Sequence, residues 1–260
     1  MLVSARVRHA EPVMGTVVSF DVSAAARADG SLEAAVRWLH WVDEVFSPYR
    51  ADSDVSRLAD GSVAVADCAP EVAEVIAACA AAAERSGGYF TGSPGGRFNP
   101  SGYVKGWAVE RAAALVSRAG SASHLVNGGG DVQCVGGRPR SGSAGPAEPW
   151  RVGVADPLRP GGLALVVAVA DGAVATSGVA ERGAHIVNPH TGQPAAGLAS
   201  ITVAGPSLAL ADAYATAAFA MGPRLARDWA GSLDGYAAYA IEPDGQTWHT
   251  PAFARYIAAD

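Results

Sequence analysis

The segment LALADAYATAAFAMG, residues 208–222, consists almost entirely of Ala, Leu, Phe and Met, yet it carries Asp212 and Thr216 four residues apart. On a helix that spacing puts both side chains on one face, about one turn from each other. A carboxylate on an apolar helix is expensive to bury unless something pairs with it. Two readings are open. Asp212 caps a neighbouring loop or meets an arginine, or carboxylate and hydroxyl oxygens supply part of an Mg²⁺ shell that substrate phosphates or waters complete.

Other short stretches carry the same ambiguity. NPSGYVKGWAVE (99–110) sets Ser101-Gly102 and Lys105-Gly106 at the opening of a helix. Small residues there let a ligand approach the backbone, the helix N-terminus favours anions, and Lys105 adds a point charge. The spacing is not that of a Walker motif, and an ordinary helix start with an exposed lysine reads the same way. NGGGD (127–131) is a tight turn or a loop cleared of side chains for a ligand, and TSG (176–178) shares that choice. Tyr49 of FSPY could stack on a planar ring. In GAHIVNPHTGQP (183–194), His185 leads into a turn punctuated by Asn, Pro and Gly. That turn could hold an imidazole toward a phosphate or an attacking hydroxyl, although a histidine beside a strand is more often structural.

The 260 residues are half apolar and carry a formal net charge of −6, with Lys and Arg scattered. A substantial core is available, and no basic stripe suits a nucleic acid or an anionic membrane. An acidic chain that handles phosphates needs backbone N–H groups, a few placed cations or a metal. Cys68, Cys79 and Cys134 form no CxxC and read as reduced, buried small residues. The N-terminus lacks an apolar signal region and a lipid-attachment cysteine, and no segment has the length of a membrane span, which points to a cytoplasmic protein unless a leader was trimmed.

The elements that must position these residues follow from periodicity. Helices are predicted over 31–46, with Ser31 as N-cap, over 69–88, 102–120 and 208–222, and from Pro223 onward. SPYRADSDVSRL reads as a loop. Between 124 and 205 short apolar runs predict strands, including AHIVN, with Asp171-Gly172 as a hairpin turn. GYAAYAIEPDGQTWHT reads as a closing hairpin that turns at 243–245. Residues 136–149, rich in Gly, Pro and Ser, read as the least ordered. Helices and strands come in runs, which predicts an α+β fold with a mixed, largely antiparallel sheet flanked by helices.

Taken in order, MGT, FSPYRADSDVSRL, SGYVKGWAVERA, LVNGGGDV, WRVGVADP, VATSG, HIVNPHTGQP, SITVAGPS and ADAYATAAFAMG resemble the ApbE family of FAD:protein FMN transferases, over roughly residues 12–222. The resemblance implies a single domain over 1–260 that splits the FAD pyrophosphate with Mg²⁺, attaches FMN to a Thr or Ser of a target flavoprotein and releases AMP. It implies Asp212, Thr216 and the Gly102 carbonyl as metal ligands. It also implies Met14, Tyr49, Phe90, Thr91, Asn99, Ser101, Lys105, Ser177 and His185 at FAD, with His185 and Asp212 in the chemistry and His190 peripheral. The chain departs from the family pattern at Asn99 and Thr91, where acidic residues are common. An FAD pyrophosphatase that yields FMN and AMP, or a non-catalytic FAD-binding protein, would use the same residues.

Overall fold

The computed structural model describes residues 6–118, 120–139, 146–179 and 186–259. Strands β1 (Arg6–Val13) and β2 (Thr16–Ser23) open the chain, followed by helices α1 (Ala24–Ala28), α2 (Ser31–Phe46), α3 (Asp54–Ala59), α4 (Pro70–Arg85) and α5 (Ser101–Arg118). Strands β3 (His124–Gly128), β4 (Asp131–Val135), β5 (Trp150–Ala155), β6 (Leu163–Val169), β7 (Gly172–Gly178) and β8 (Ser200–Gly205) come next. Helices α6 (Leu208–Met221) and α7 (Pro223–Gly231) then precede β9 (Ala237–Ile241) and β10 (Thr247–His249).

Eight strands form one sheet in the order β1-β2-β3-β4-β7-β8-β9-β10, while β5 and β6 form a separate two-stranded ribbon. Every strand pairing among the described residues is antiparallel. The α+β architecture is therefore as expected, with no parallel pair in it. Alternation along the strands sends side chains to two cores. Phe20, Val126, Ile201, Val203 and Ala240 pack with the helices on one face. Val132, Cys134, Val174 and Tyr239 pack on the other face with Trp150, Val152, Val154 and Val167 of the ribbon.

Helix α5 is the hub of the helical layer. Trp38 of α2 donates from Nε1 to the Ala108 carbonyl at 3.0 Å, and its ring meets Trp107 edge-on at 5.1 Å. On the sheet side, a Cβ at Gly128 would stand 2.5 Å from Val109 Cγ2, so β3 supports α5 only because that residue is glycine. Toward α6 the approach is as tight: a Cβ at Gly106 would stand 2.5 Å from the Leu208 carbonyl oxygen and 2.9 Å from Asp212 Cβ. Glu110 fixes the register of this pair, since its Oε2 accepts from Ser207 Oγ at 2.7 Å and from Ala209 N at 2.9 Å. A carboxylate at the first turn of α6 satisfies N–H groups that have no partner within the helix.

Several expectations are corrected. Asp171-Gly172 is not a hairpin turn, because β6 pairs with β5 in the ribbon while β7 pairs with β4 and β8 in the main sheet. The chain changes sheets there, and Asp171 Oδ1 accepts from Gly136 N at 2.7 Å instead. Ser31 is the first residue inside α2 rather than its cap, and its hydroxyl donates to the Ala26 carbonyl. The loop predicted after α2 contains α3, whose cap Ser53 accepts from Ser56 N. Of AHIVN (184–188), residues 184 and 185 lie outside the described residues, and the remainder forms an isolated bridge, Val187 to Pro194. Of 136–149, residues 140–145 lie outside the described residues; on either side, Arg138 and Glu148 form an antiparallel bridge. The three cysteines are free, and burial pushes the Cys79 and Cys134 thiols up to about 12. Among the described residues no helix is long and apolar enough to cross a membrane.

Two predictions follow from the packing. Gly106→Ala should cost about 1–3 kcal/mol of stability through overpacking, read as a lower urea midpoint at unchanged slope. His124 is fully buried, and burial lowers its pKa against the opposing pull of the Ala113 and Ser121 carbonyls. A folded value below the unfolded one of about 6.5 means that its contribution is complete above that pH and is lost as pH falls toward the folded value. An NMR titration should place the His124 midpoint below 6.5; a midpoint above it would reverse the sign.

Candidate active site

A cleft of about 320 Å³ opens where the N-terminus of α5, the middle of α6 and the ends of β7 and β8 meet. Phe90, Thr91, Asn99, Ser101, Gly102, Lys105, Ser177, Asp212 and Thr216 all line it. The family resemblance implies these nine as site residues from four separate segments, and the fold brings them to one cavity. A second hollow of about 230 Å³ lies alongside, lined by Tyr49, Val55, Arg97 and Phe98 and sharing Pro94 and Asn99 with the first. Tyr49 is 93% exposed there, with its ring free to receive a planar group.

Met14 lines neither hollow. It occupies the two-residue β1–β2 turn, where Met14 and Gly15 have φ of +56° and +69°, the pattern of a type I′ hairpin. Among the described residues Met14 is the only non-glycine at positive φ. Thr16, two residues on, reaches the cleft wall beside Gly129 and Gly130 of the β3–β4 turn. His185 lies outside the described residues; its neighbour Ile186 lines the cleft. His190 does not line the cleft and packs behind it, with its ring 4.5 Å from that of Tyr89 and Nε2 3.0 Å from the Gly87 carbonyl. The turn itself is pinned by Asn188, whose Oδ1 accepts from His190 N and whose Nδ2 donates to the Ala220 carbonyl at the end of α6.

The electrostatic centre is a chain of three charges. Asp131 and Asp212 are buried to 1% and 5% exposure, and Lys105 joins them. Its ammonium is ion-paired to Asp131 Oδ2 and stands 3.5 Å from Asp212 Oδ2. Asp131 Oδ1 accepts from Thr176 N at 3.0 Å, and Asp212 Oδ2 accepts from Gly106 N at 3.1 Å. The three side chains together carry one net negative charge, and Lys105 is the only cationic side chain among the described residues lining the cleft. One turn along α6 from Asp212, Thr216 Oγ1 lies 3.4 Å from Ser177 Oγ.

Asp131 was not among the residues singled out from the sequence. The reasoning that flagged Asp212 applies equally to it, since it is a carboxylate entering the otherwise mostly apolar strand DVQCV. Asn99 accepts from Ser101 N at 3.2 Å and Ser101 Oγ at 2.6 Å, and so closes the turn that starts α5. Thr91 accepts from Ser93 N in the same manner.

The sequence signature of the ApbE family matches residues 14–96 and 91–240. The FAD:protein FMN transferase of Rhodobacter capsulatus is 31% identical over 178 residues, 64% of this chain and 32% of that protein. The Escherichia coli K12 protein of the same name is 28% identical over 169 residues, 60% of this chain and 46% of that protein. The matched segment thus spans less than half the length of either relative. Among solved structures, the flavin transferase ApbE from Vibrio cholerae superposes with a TM-score of 0.84 at 20% identity, covering 98% of this chain and all of that one. The ApbE protein of Thermotoga maritima gives 0.85 at 22% identity with the same coverage.

The Asn99 turn makes a simple stability prediction. Asn99→Ala should cost about 1 kcal/mol by leaving helix-start donors unserved, whereas Asn99→Asp should match or slightly exceed the parent through the helix dipole. Equal midpoints for the parent and Asn99→Ala in thermal denaturation would contradict the assigned role.

Proposed function

The chain belongs to the ApbE family, and from that premise we propose that it is an FAD:protein FMN transferase contained in one domain. An acceptor Thr or Ser hydroxyl attacks the FMN phosphorus of FAD, the bond from that phosphorus to the bridging oxygen breaks, and AMP departs. The observation that carries this reading is the convergence of an 18-residue helix's N-terminus, an ammonium and a carboxylate–hydroxyl wall on one cleft. The first presents the positive end of its dipole to a diphosphate. Phosphoryl transfer asks the protein mainly to position the reactants and neutralise charge, and these groups do that.

One ammonium already shared between two carboxylates leaves the charge of a diphosphate unbalanced, and we assign that balance to a divalent cation. The donors present fit Mg²⁺, which takes oxygen ligands and commonly one or two carboxylates. Asp212 and Thr216 would hold it from α6. In a regular α-helix Gly106 N–H serves the Gly102 carbonyl. Because that N–H also donates to Asp212, the Gly102 oxygen shares its donor and is suited to join the shell. When bound, the ion would act as a Lewis acid on the phosphoryl oxygens. Lys105 and Ser101 would contact the phosphates, and Phe90, Thr91, Asn99 and Ser177 would line the flavin nucleotide. Tyr49 would stack on a ring in the adjoining hollow, with Met14 at the cleft rim. We assign to His185 the acceptance of the hydroxyl proton, since it immediately precedes Ile186 on the cleft wall.

Asp212→Ala should lower transfer by about 10²–10³-fold, and chelation should abolish it. The test is an assay of FMN attachment at saturating FAD, and full retained activity would remove Asp212 from the site. Free FMN and AMP in equal amounts, with no adduct in the presence of acceptor, would instead identify an FAD pyrophosphatase. Intact FAD bound for hours with Mg²⁺ and acceptor present would indicate a binding protein.

A further inference from the structure

The three-charge chain contains one carboxylate for which the proposed reaction has no direct use. Asp131 comes from β4, not from the helices, and is more deeply buried than Asp212. Its two oxygens are engaged by two partners: Oδ1 accepts the Thr176 N–H at the edge of β7, and Oδ2 takes the Lys105 ammonium. It is anchored to the sheet, while Lys105 is a long side chain on α5 with both carboxylates within reach.

An ammonium shared by two carboxylates is drawn more strongly to the nearer one. Lys105 is drawn in to Asp131 and stays 3.5 Å from Asp212. We propose that Asp131 is a positioning residue that draws the Lys105 ammonium toward the sheet and limits its contact with Asp212 to a 3.5 Å ion pair, so that the Asp212 carboxylate can serve a cation as well as the lysine. The proposal rests on the cation reading of Asp212 given above. It also explains why a lysine can sit beside a magnesium carboxylate without competing for it: the competing charge is tethered to a second anion in the layer behind. Without that tether, Lys105 and the divalent cation would be rivals for the same oxygens.

Asp131→Asn is the direct probe, because the amide keeps an oxygen for Thr176 N–H and loses only the charge. Binding of Mn²⁺, used as a spectroscopic stand-in for Mg²⁺, is measured without FAD by electron paramagnetic resonance, together with crystal structures of parent and variant. The expected result is an Mn²⁺ affinity at least tenfold weaker, the size typical of losing an outer-sphere partner, with Lys105 Nζ moved into direct contact with Asp212. In the double variant Lys105→Met/Asp131→Asn the rival charge is gone, and the affinity should return to near the parent value. A merely structural role for Asp131 predicts no such rescue. Unchanged affinity in Asp131→Asn, an unmoved Lys105, or a double variant as weak as the single would each overturn the proposal. Failure of the cation reading is seen separately, as Mn²⁺ binding in the parent that Asp212→Ala does not alter.

Discussion

The close crossing of α5 and α6 at Gly106 is the constraint on which the rest of the site depends. With no side chain at 106, the backbone of α5 reaches the Leu208 carbonyl, and its N–H reaches Asp212. That single contact puts Gly102, one turn before, and the adjoining Lys105 opposite Asp212 and Thr216. A Cβ at Gly102 would lie 3.6 Å from Thr216 Oγ1, so the two helices stay close along the whole wall of the cleft. Glu110 holds the other end by capping α6 from α5. Distance and register between the helices are thus set by one missing side chain and one carboxylate, and the site is their consequence.

The sheet contributes what the helices cannot. Asp131 and Thr176 tie the Lys105 ammonium to neighbouring strands, which links the helical layer to the sheet through charge as well as through apolar packing. On that side the cleft wall is the Gly129-Gly130 turn, whose positive φ values keep bulk away, together with Thr16, which follows the Met14-Gly15 turn. A Cβ at Gly129 would stand 2.6 Å from Thr16 Oγ1, so these two turns pack together only with glycine at that position. Met14 bears a conformation that side chains rarely adopt, with φ of +56°.

Much of this was legible in the sequence because it depends on local rules. The 3.6-residue period of 31–46 matches the bounds of α2, and Pro70 marks the start of α4, which ends at Arg85, three residues before the expected end at 88. Asp212 and Thr216 could be paired from spacing alone, since a helix fixes which residues share a face. What escaped depends on partners distant in sequence. Asp171-Gly172 has the composition of a hairpin turn, but the choice of β5 rather than β7 as partner of β6 is decided by burial on the far face of the sheet. The β1–β2 hairpin was missed although Val18, Phe20 and Val22 alternate, because its turn uses Met where the local signal would be Asn or Gly. Asp131 looked like the end of a glycine turn, and its role emerges only when α5 brings Lys105 across β4. Asn99 accepts from both Ser101 N and Ser101 Oγ, which closes the turn before α5, a pairing that rests on neighbours in sequence.

The most direct test of the account is the intact mass of an acceptor domain bearing a flavinylation-type threonine, after incubation with this protein, FAD and Mg²⁺. The account predicts a gain of one FMN on the acceptor, matched by released AMP and lost on chelation. An acceptor of unchanged mass, under conditions in which a known flavin transferase modifies it, would contradict it.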